Sequence, residues 1–245
     1  MKRETLLLTG NRPLTPTVFE LTFSGASPMR AGQFVELEVE GRFLRRPISV
    51  GDSGRDGTLK LLVKAVGVGT DRMSRWQTGK EVSALTCLGN GFDLSAEKPL
   101  LVGGGIGCAP LFMLARKFAE KGVRPTAVLG FQTASEIYYK DNFARYADVI
   151  VATDDGSEGY RGNAVAALRD KGFAAGVNFD RYYACGPAVM LRALSAWSTA
   201  GQLSPEARMG CGFGACMGCS IKTTDGFRRV CKEGPVFEAA SVIWE

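Results

Sequence analysis

Histidine is missing entirely from the 245 residues. That excludes a Rieske centre, a histidine-ligated zinc site and any Ser-His or Cys-His nucleophilic pair. It also removes the commonest general acid and base. No apolar run approaches the length of about eighteen residues that a spanning helix needs, so no membrane insertion is expected. The first residues, Met1-Lys2-Arg3-Glu4-Thr5, open an alternating stretch rather than the apolar centre of a signal peptide. A cytoplasmic chain with reduced thiols is the expectation. Charge of one sign is also scarce: 30 basic and 25 acidic residues leave a net +5, scattered along the chain. Nothing in that balance argues for nucleic acid.

What is abundant is glycine, at 31 residues, and a concentration of thiols near the end. With the usual catalytic side chains absent, chemistry falls to bound cofactors, and glycine loops can approach them closely. Four of the seven cysteines, Cys211, Cys216, Cys219 and Cys231, follow the spacing C-x4-C-x2-C-x11-C. That is the style of plant-type [2Fe–2S] sites, in which one tight loop supplies three thiolates and a later segment the fourth. Gly210, Gly212, Gly214 and Gly218 interleave with the thiols, as a loop turned sharply around a cluster requires. A four-cysteine zinc site usually shows two C-x2-C knuckles and this chain has one. Zinc and free thiols stay as the lesser alternatives, and disulfides are disfavoured in a reducing compartment.

The first hundred residues read as short strands with turn signals between them. Candidate strands are Thr5–Thr9, Thr17–Phe23, Phe34–Val39, Ile48–Val50, Thr58–Val66 and Glu81–Leu88. Alternation is plain in Val35-Glu36-Leu37-Glu38-Val39, and six such strands suggest a small antiparallel barrel. Arg45-Arg46-Pro47-Ile48-Ser49 stands out within it. An arginine fork suits a pyrophosphate, and the Ser49 hydroxyl suits a flavin ring edge. Val66-Gly67-Val68-Gly69-Thr70 then precedes an expected helix, Asp71–Trp76, where free N–H groups and the helix dipole favour an anion. Either motif alone is also an ordinary strand end or turn; together in one barrel they reinforce each other.

Lys98-Pro99 marks a boundary. Leu100–Val102 is a short buried strand, followed by Gly103-Gly104-Gly105-Ile106-Gly107 and an apolar helix carrying Pro110 in its first turn. Strand, glycine loop and helix form the geometry that seats a pyrophosphate, although the spacing departs from the G-x-G-x-x-G fingerprint. Strands Thr126–Phe131, Val149–Ala152 and Arg181–Ala184 alternate with helices near Lys140–Tyr146, Asn163–Lys171 and Pro187–Thr199, which implies a parallel sheet with helices on both faces. Loops at the strand C-terminal ends should form the ligand crevice. They include Asp154 and Cys185-Gly186-Pro187, whose thiol is expected to be partly exposed. A packed structural cysteine is the competing reading of that thiol.

In order, these motifs resemble the electron-transfer subunit of the NAD-linked class of dihydroorotate dehydrogenase, within the ferredoxin–NADP reductase-like flavoproteins. The resemblance covers essentially the whole chain. It implies an FAD-binding β-barrel domain at 1–97, an NAD-binding α/β domain at 98–205 and a [2Fe–2S] subdomain at 206–245. It assigns Arg46, Pro47, Ile48 and Ser49 to the FAD motif, Leu62, Val63 and Lys64 to the next FAD-contacting strand, and Gly69-Thr70 to the phosphate step. Gly103, Gly104, Gly105, Gly107, Gly186 and Pro187 fall to the nicotinamide side with Asp154. Cys185 is placed at the hydride-transfer junction, and Cys211, Cys216, Cys219 and Cys231 become the cluster ligands. The C-terminal cysteine loop followed by Gly234-Pro235-Val236-Phe237 is the most specific feature, and its x11 gap reads as a shortened hairpin.

The implied function is a relay. Electrons from the FMN of a catalytic dihydroorotate dehydrogenase subunit pass through the cluster and FAD to NAD+, in a heterotetramer of two chains of each kind that serves pyrimidine biosynthesis. Rival readings are a related relay subunit of a hydrogenase, glutamate synthase-like or transhydrogenase-type complex, and a redox sensor without turnover. Cys211 weighs against relatives that carry aspartate as the first ligand. Gln132-Thr133-Ala134-Ser135, without arginine, points to NAD rather than NADP.

Metal analysis of anaerobically purified protein should find about two irons per chain, the stoichiometry of this cluster type. Stoichiometric zinc without iron would end that reading.

Overall fold

The computed structural model describes residues 1–244. Six strands close an antiparallel barrel: β1 (Lys2–Pro13), β2 (Val18–Ser24), β3 (Phe34–Leu37), β4 (Arg46–Ser53), β5 (Leu59–Lys64) and β6 (Glu81–Leu88), in the order β1-β2-β5-β4-β3-β6. β6 shows why these segments are strands: Val82, Ala84, Thr86 and Leu88 are buried in alternation with more exposed neighbours, the period-two pattern of a pleated sheet with one face inside. Leu6, Leu8, Leu21, Phe23, Leu59 and Leu61 fill the barrel. A short helix, α1 (Val68–Ser74), bridges β5 and β6. It begins three residues earlier than its sequence pattern suggests, because Thr70 Oγ1 accepts the N–H groups of Val66 and Gly67 at 2.9 and 3.2 Å and so caps the turn from within.

The second half is an α/β layer. β7 (Pro99–Gly104), β8 (Thr126–Phe131), β9 (Asp148–Thr153), β10 (Tyr160–Arg161), β11 (Arg181–Cys185) and β12 (Gly201–Ser204) pair in parallel in the order β10-β9-β8-β7-β11-β12. Helices α2 (Ala109–Glu120), α3 (Lys140–Ala144), α4 (Ala164–Asp170) and α5 (Ala188–Trp197) connect them. α2 carries Pro110 in its first turn, as expected, and buries most of its residues. Asn163 caps α4 by accepting the Ala166 N–H at 3.0 Å. None of these helices is long and apolar enough to cross a membrane.

After the sheet, β13 (Ser220–Thr223) and β14 (Gly226–Arg229) form a hairpin, and β15 (Phe237–Glu238) returns to pair antiparallel with β12. The chain end is thereby stitched to the nucleotide-side sheet.

Two contacts fix the halves of the molecule. Arg116 of α2 reaches Asp52 of β4 and donates to the Ser53 carbonyl at 3.2 Å. Tyr139, at the start of α3, donates to the buried Glu20 carboxylate of β2. The C-terminal segment is held by Asn90. Its Nδ2 donates to the carbonyls of Glu233 and Val236 at 3.1 and 2.7 Å, and its Oδ1 accepts the Val236 N–H at 2.9 Å. Asn90→Ala leaves those backbone groups unpaired and should cost about 1–3 kcal/mol of stability. Urea unfolding with hydrogen exchange over residues 233–237 checks this. Wild-type midpoint and protection would show the contact to be idle.

Candidate functional site

Two clefts meet where the barrel faces the C-terminal ends of the parallel strands. The first has a cavity volume of about 320 Å3. Pro47, Ile48 and Ser49 of β4, Leu62, Val63 and Lys64 of β5, and Thr70 of α1 form its barrel wall, while Gly107 and Cys185 form the opposite one. Arg46 stands at the rim, with Nη1 donating to the Leu44 carbonyl at 2.6 Å. Its guanidinium lies so close to Gly69 that a Cβ there would fall 2.4 Å from Nε. The arginine and the helix start, expected separately, are therefore one surface. In α1 the first intrahelical bond runs from Asp71 N–H to the Gly67 carbonyl, so the N–H groups of Val68, Gly69 and Thr70 have no acceptor within the helix. The Thr70 hydroxyl is spent on capping, and the backbone of this turn is left to serve an anion.

The second cleft is lined by Gly104, Gly105, Asp154 and Pro187, with Gln132 and Asn163. Gly103 and Gly186 do not line it. Gly103 packs on Cys108, and Gly186 backs onto Met190 and Gly104. They let the two loops touch rather than face a ligand. Tyr138 stiffens the wall by donating to the Gly105 carbonyl at 2.9 Å.

Lys64, Ile106 and Glu206 line both clefts. Glu206 was not singled out by the sequence pattern. It follows the end of β12, a four-residue strand with no apolar periodicity, and only its place between a strand end and the cysteine loop could have flagged it. Partial desolvation raises its carboxyl above the ordinary range. Cys185, expected to be partly exposed, is instead buried at 5 % exposure. Burial, and then the nearby Glu206 charge, push its thiol up to about 12, against a weaker contribution from Ser204. The thiol therefore stays protonated at neutral pH and is a neutral, polarizable wall rather than a nucleophile.

The four C-terminal thiols sort into two pairs. Cys211 and Cys216 share a sulfur–sulfur contact on the loop. Cys211 Sγ accepts the N–H groups of Ala215 and Cys216 at 3.2 and 3.4 Å. Burial opposes ionisation there, but these donors and the Phe213 amide outweigh it and lower the thiol to about 6. Cys219 and Cys231 form the second pair. They flank the hairpin of β13 and β14, so the x11 gap is the hairpin itself, and the Cys231 N–H donates to Cys219 Sγ at 3.4 Å. Burial and the neighbouring Cys219 push the Cys231 thiol up to about 12. Arg229 clamps the arrangement, donating to the Gly214 carbonyl at 2.6 Å and to Glu233 at 3.0 Å.

All seven cysteines are free of disulfides. A two-iron cluster takes two sulfurs at each iron, and the paired thiols fit that arrangement.

The inner pair abuts the first cleft. Cys219 and Cys231 share an apolar cluster with Phe34, Leu88, Val230 and Phe237, and with Ala207 and Met209 packed against it. Phe34, Ala207 and Met209 also line the first cleft. The apolar cluster around the thiols and the lining of the cavity thus share Phe34, Ala207 and Met209.

Comparison with known proteins agrees with this geometry. Residues 206–243 match the iron-sulfur cluster binding domain of dihydroorotate dehydrogenase B. The electron transfer subunits of dihydroorotate dehydrogenase B (NAD(+)) from Geobacillus sp. strain WCH70 and from Streptococcus pneumoniae strain R6 are 38% and 36% identical, each over 99% of both chains. That from Bacillus caldolyticus is 39% identical over 98% of both. Among solved structures, an NADH-dependent reduced ferredoxin-NADP oxidoreductase studied for flavin-based electron bifurcation superposes with a TM-score of 0.87 at 26% identity, covering 98% of this chain and 90% of that one. A cytochrome P450 reductase from Amycolatopsis shares the fold over 80% of this chain, with a TM-score of 0.70 at 24% identity. With paired thiols, a barrel cleft and a nucleotide cleft in one arrangement, the chain belongs to the family of dihydroorotate dehydrogenase B (NAD(+)) electron transfer subunits.

Proposed function

We propose that this chain carries electrons from a dihydroorotate-oxidising catalytic subunit to NAD+, with a [2Fe–2S] cluster on Cys211, Cys216, Cys219 and Cys231, FAD in the first cleft and NAD in the second. The observation that carries this reading is that Phe34, Ala207 and Met209 belong both to the apolar cluster around the inner thiol pair and to the lining of the first cleft. When bound, the cluster moves single electrons, the flavin converts them to pairs, and NAD+ accepts the pair as hydride.

The chain's own residues divide the work. Arg46 and the first turn of α1 hold the flavin's diphosphate, since they meet at one rim and present a guanidinium fork beside free amides. Ser49 and Lys64 face the ring system from β4 and β5. Leu62 and Val63 exclude water from the barrel wall. Gly104, Gly105, Asp154 and Pro187 receive the dinucleotide at the strand ends. Cys185, on the wall of the first cleft, and Glu206, which lines both clefts, would flank a nicotinamide brought up to the flavin. Cys185 adds no charge there, because its thiol remains protonated.

The same reading takes residues 1–97, 98–205 and 206–245 as the FAD, NAD and cluster units. It supplies a catalytic FMN-containing partner in a heterotetramer of two chains of each kind, working in the cytoplasm. The relatives' designation as electron transfer subunits supports a partner. Exposed Phe213 and Met217 beside the outer thiol pair give that partner an apolar surface close to the cluster.

Two variants test the assignment. Arg46→Ala should release FAD into the filtrate on ultrafiltration, and stoichiometric FAD retained by the variant would refute the diphosphate site. Cys185→Ala should keep FAD and iron but slow flavin reduction by NADH roughly 5- to 150-fold, the range for a lost positioning contact of about 1–3 kcal/mol. Stopped-flow absorbance reads this directly. An unchanged rate would return Cys185 to a packing role.

A further inference from the structure

Glu36 has no role in the scheme above, and its surroundings are unusual. It lies on β3 between Val35 and Leu37, is 1% exposed, and neither carboxylate oxygen has a hydrogen-bond partner. Buried carboxylates without partners are costly, and each one in a folded protein calls for a reason. What covers Glu36 is the cysteine loop: a Cβ on Gly212 would fall 2.4 Å from Oε1. The carboxylate therefore rests directly on the backbone one residue beyond Cys211.

The nearby cations do not quench it by contact. Arg45 spends its guanidinium on the Ser83 carbonyl at 2.7 Å, Ser83 Oγ at 3.0 Å and Glu38 at 2.8 Å. Arg46 donates to the carbonyls of Leu44 and Arg45 at 2.6 and 3.3 Å. Burial, the largest influence, raises the Glu36 carboxyl to about 7; the nearby Cys211 adds to the rise, and the fields of Arg45 and Arg46 oppose it. A charge held this way acts on the loop through a medium of low polarity rather than through a bond.

We propose that Glu36 is a positioning residue for charge: its carboxylate, sealed between β3 and the cysteine loop, lowers the reduction potential of the cluster held by that loop. The proposal rests on the cluster assignment made above. The physical step is simple. In alkaline buffer, reduction adds one electron to a site already faced by a negative charge, and the Coulomb cost falls on the reduced form alone. At an effective dielectric of about 20, a unit charge about 12 Å away changes such an equilibrium by about tenfold.

The test uses the assembled complex. Wild type, Glu36→Gln, Glu36→Met and Glu36→Asp are assayed for iron and FAD, and the cluster is then titrated by EPR-monitored potentiometry in alkaline buffer. Glu36→Gln keeps the shape and removes the charge. Its cluster should be easier to reduce by about tenfold, a shift of about 59 mV to more positive potential for a one-electron couple. Glu36→Asp, which keeps the charge, should stay near wild type. Should the polar amide prevent loading, Glu36→Met removes both the charge and its burial cost and should shift in the same direction. A neutral variant with full iron and a wild-type midpoint overturns the proposal. Absence of iron from the wild-type chain would instead overturn the cluster assignment, so the two failures are distinguishable.

Discussion

The arrangement depends on holding the inner thiol pair against the barrel cleft. Phe34 sits on a barrel strand and Met209 on the segment leading into the cysteine loop, and both belong to the apolar packing around the thiols and to the cleft lining. The architecture serves that proximity. β15 ties the chain end to β12, Asn90 ties the barrel to the segment after Cys231, and Arg229 ties the hairpin to the loop. None of these contacts touches a cofactor position, yet each limits how far the cluster unit can drift from the barrel.

A second constraint operates on charge. The first cleft is walled by a neutral thiol, Cys185, and by the exposed Glu206, whose carboxyl partial desolvation raises, in a chain that has no histidine. Around the cysteine loop the balance is finer. Cys211 is brought toward the thiolate by backbone amides, whereas burial holds Cys231 as a thiol until a metal replaces its proton. Cys216 is exposed while Cys219 and Cys231 are buried, so the outer pair faces solvent and the inner pair faces the cleft.

Much of this was legible in the residues, and the failures have physical causes. β6 and β8 were delimited correctly because period-two burial or a continuous apolar run set them off from their turns. α1 was placed too late because its cap, Thr70, lies inside the helix rather than before it. β12 escaped notice because Gly201-Gln202-Leu203-Ser204 carries neither alternation nor length, and Glu206 escaped with it. Glu36 is the more instructive case. Alternation sets it apart from its apolar neighbours Val35 and Leu37, but the cysteine loop, distant in sequence, covers it and turns a strand's polar position into a buried one. Cys185 was misjudged for the same reason, since segment 204–206 closes over a strand end that local geometry leaves open.

The central claim is that the cysteine loop is the electrical connection between the partner subunit and the flavin. It is tested most directly in a complex carrying Cys231→Ser, with FAD content and subunit association checked first. The account predicts that NADH still reduces FAD at close to the wild-type rate, while dihydroorotate-driven formation of NADH is lost. Dihydroorotate-driven NADH formation at the wild-type rate in a complex shown to lack the cluster would contradict it.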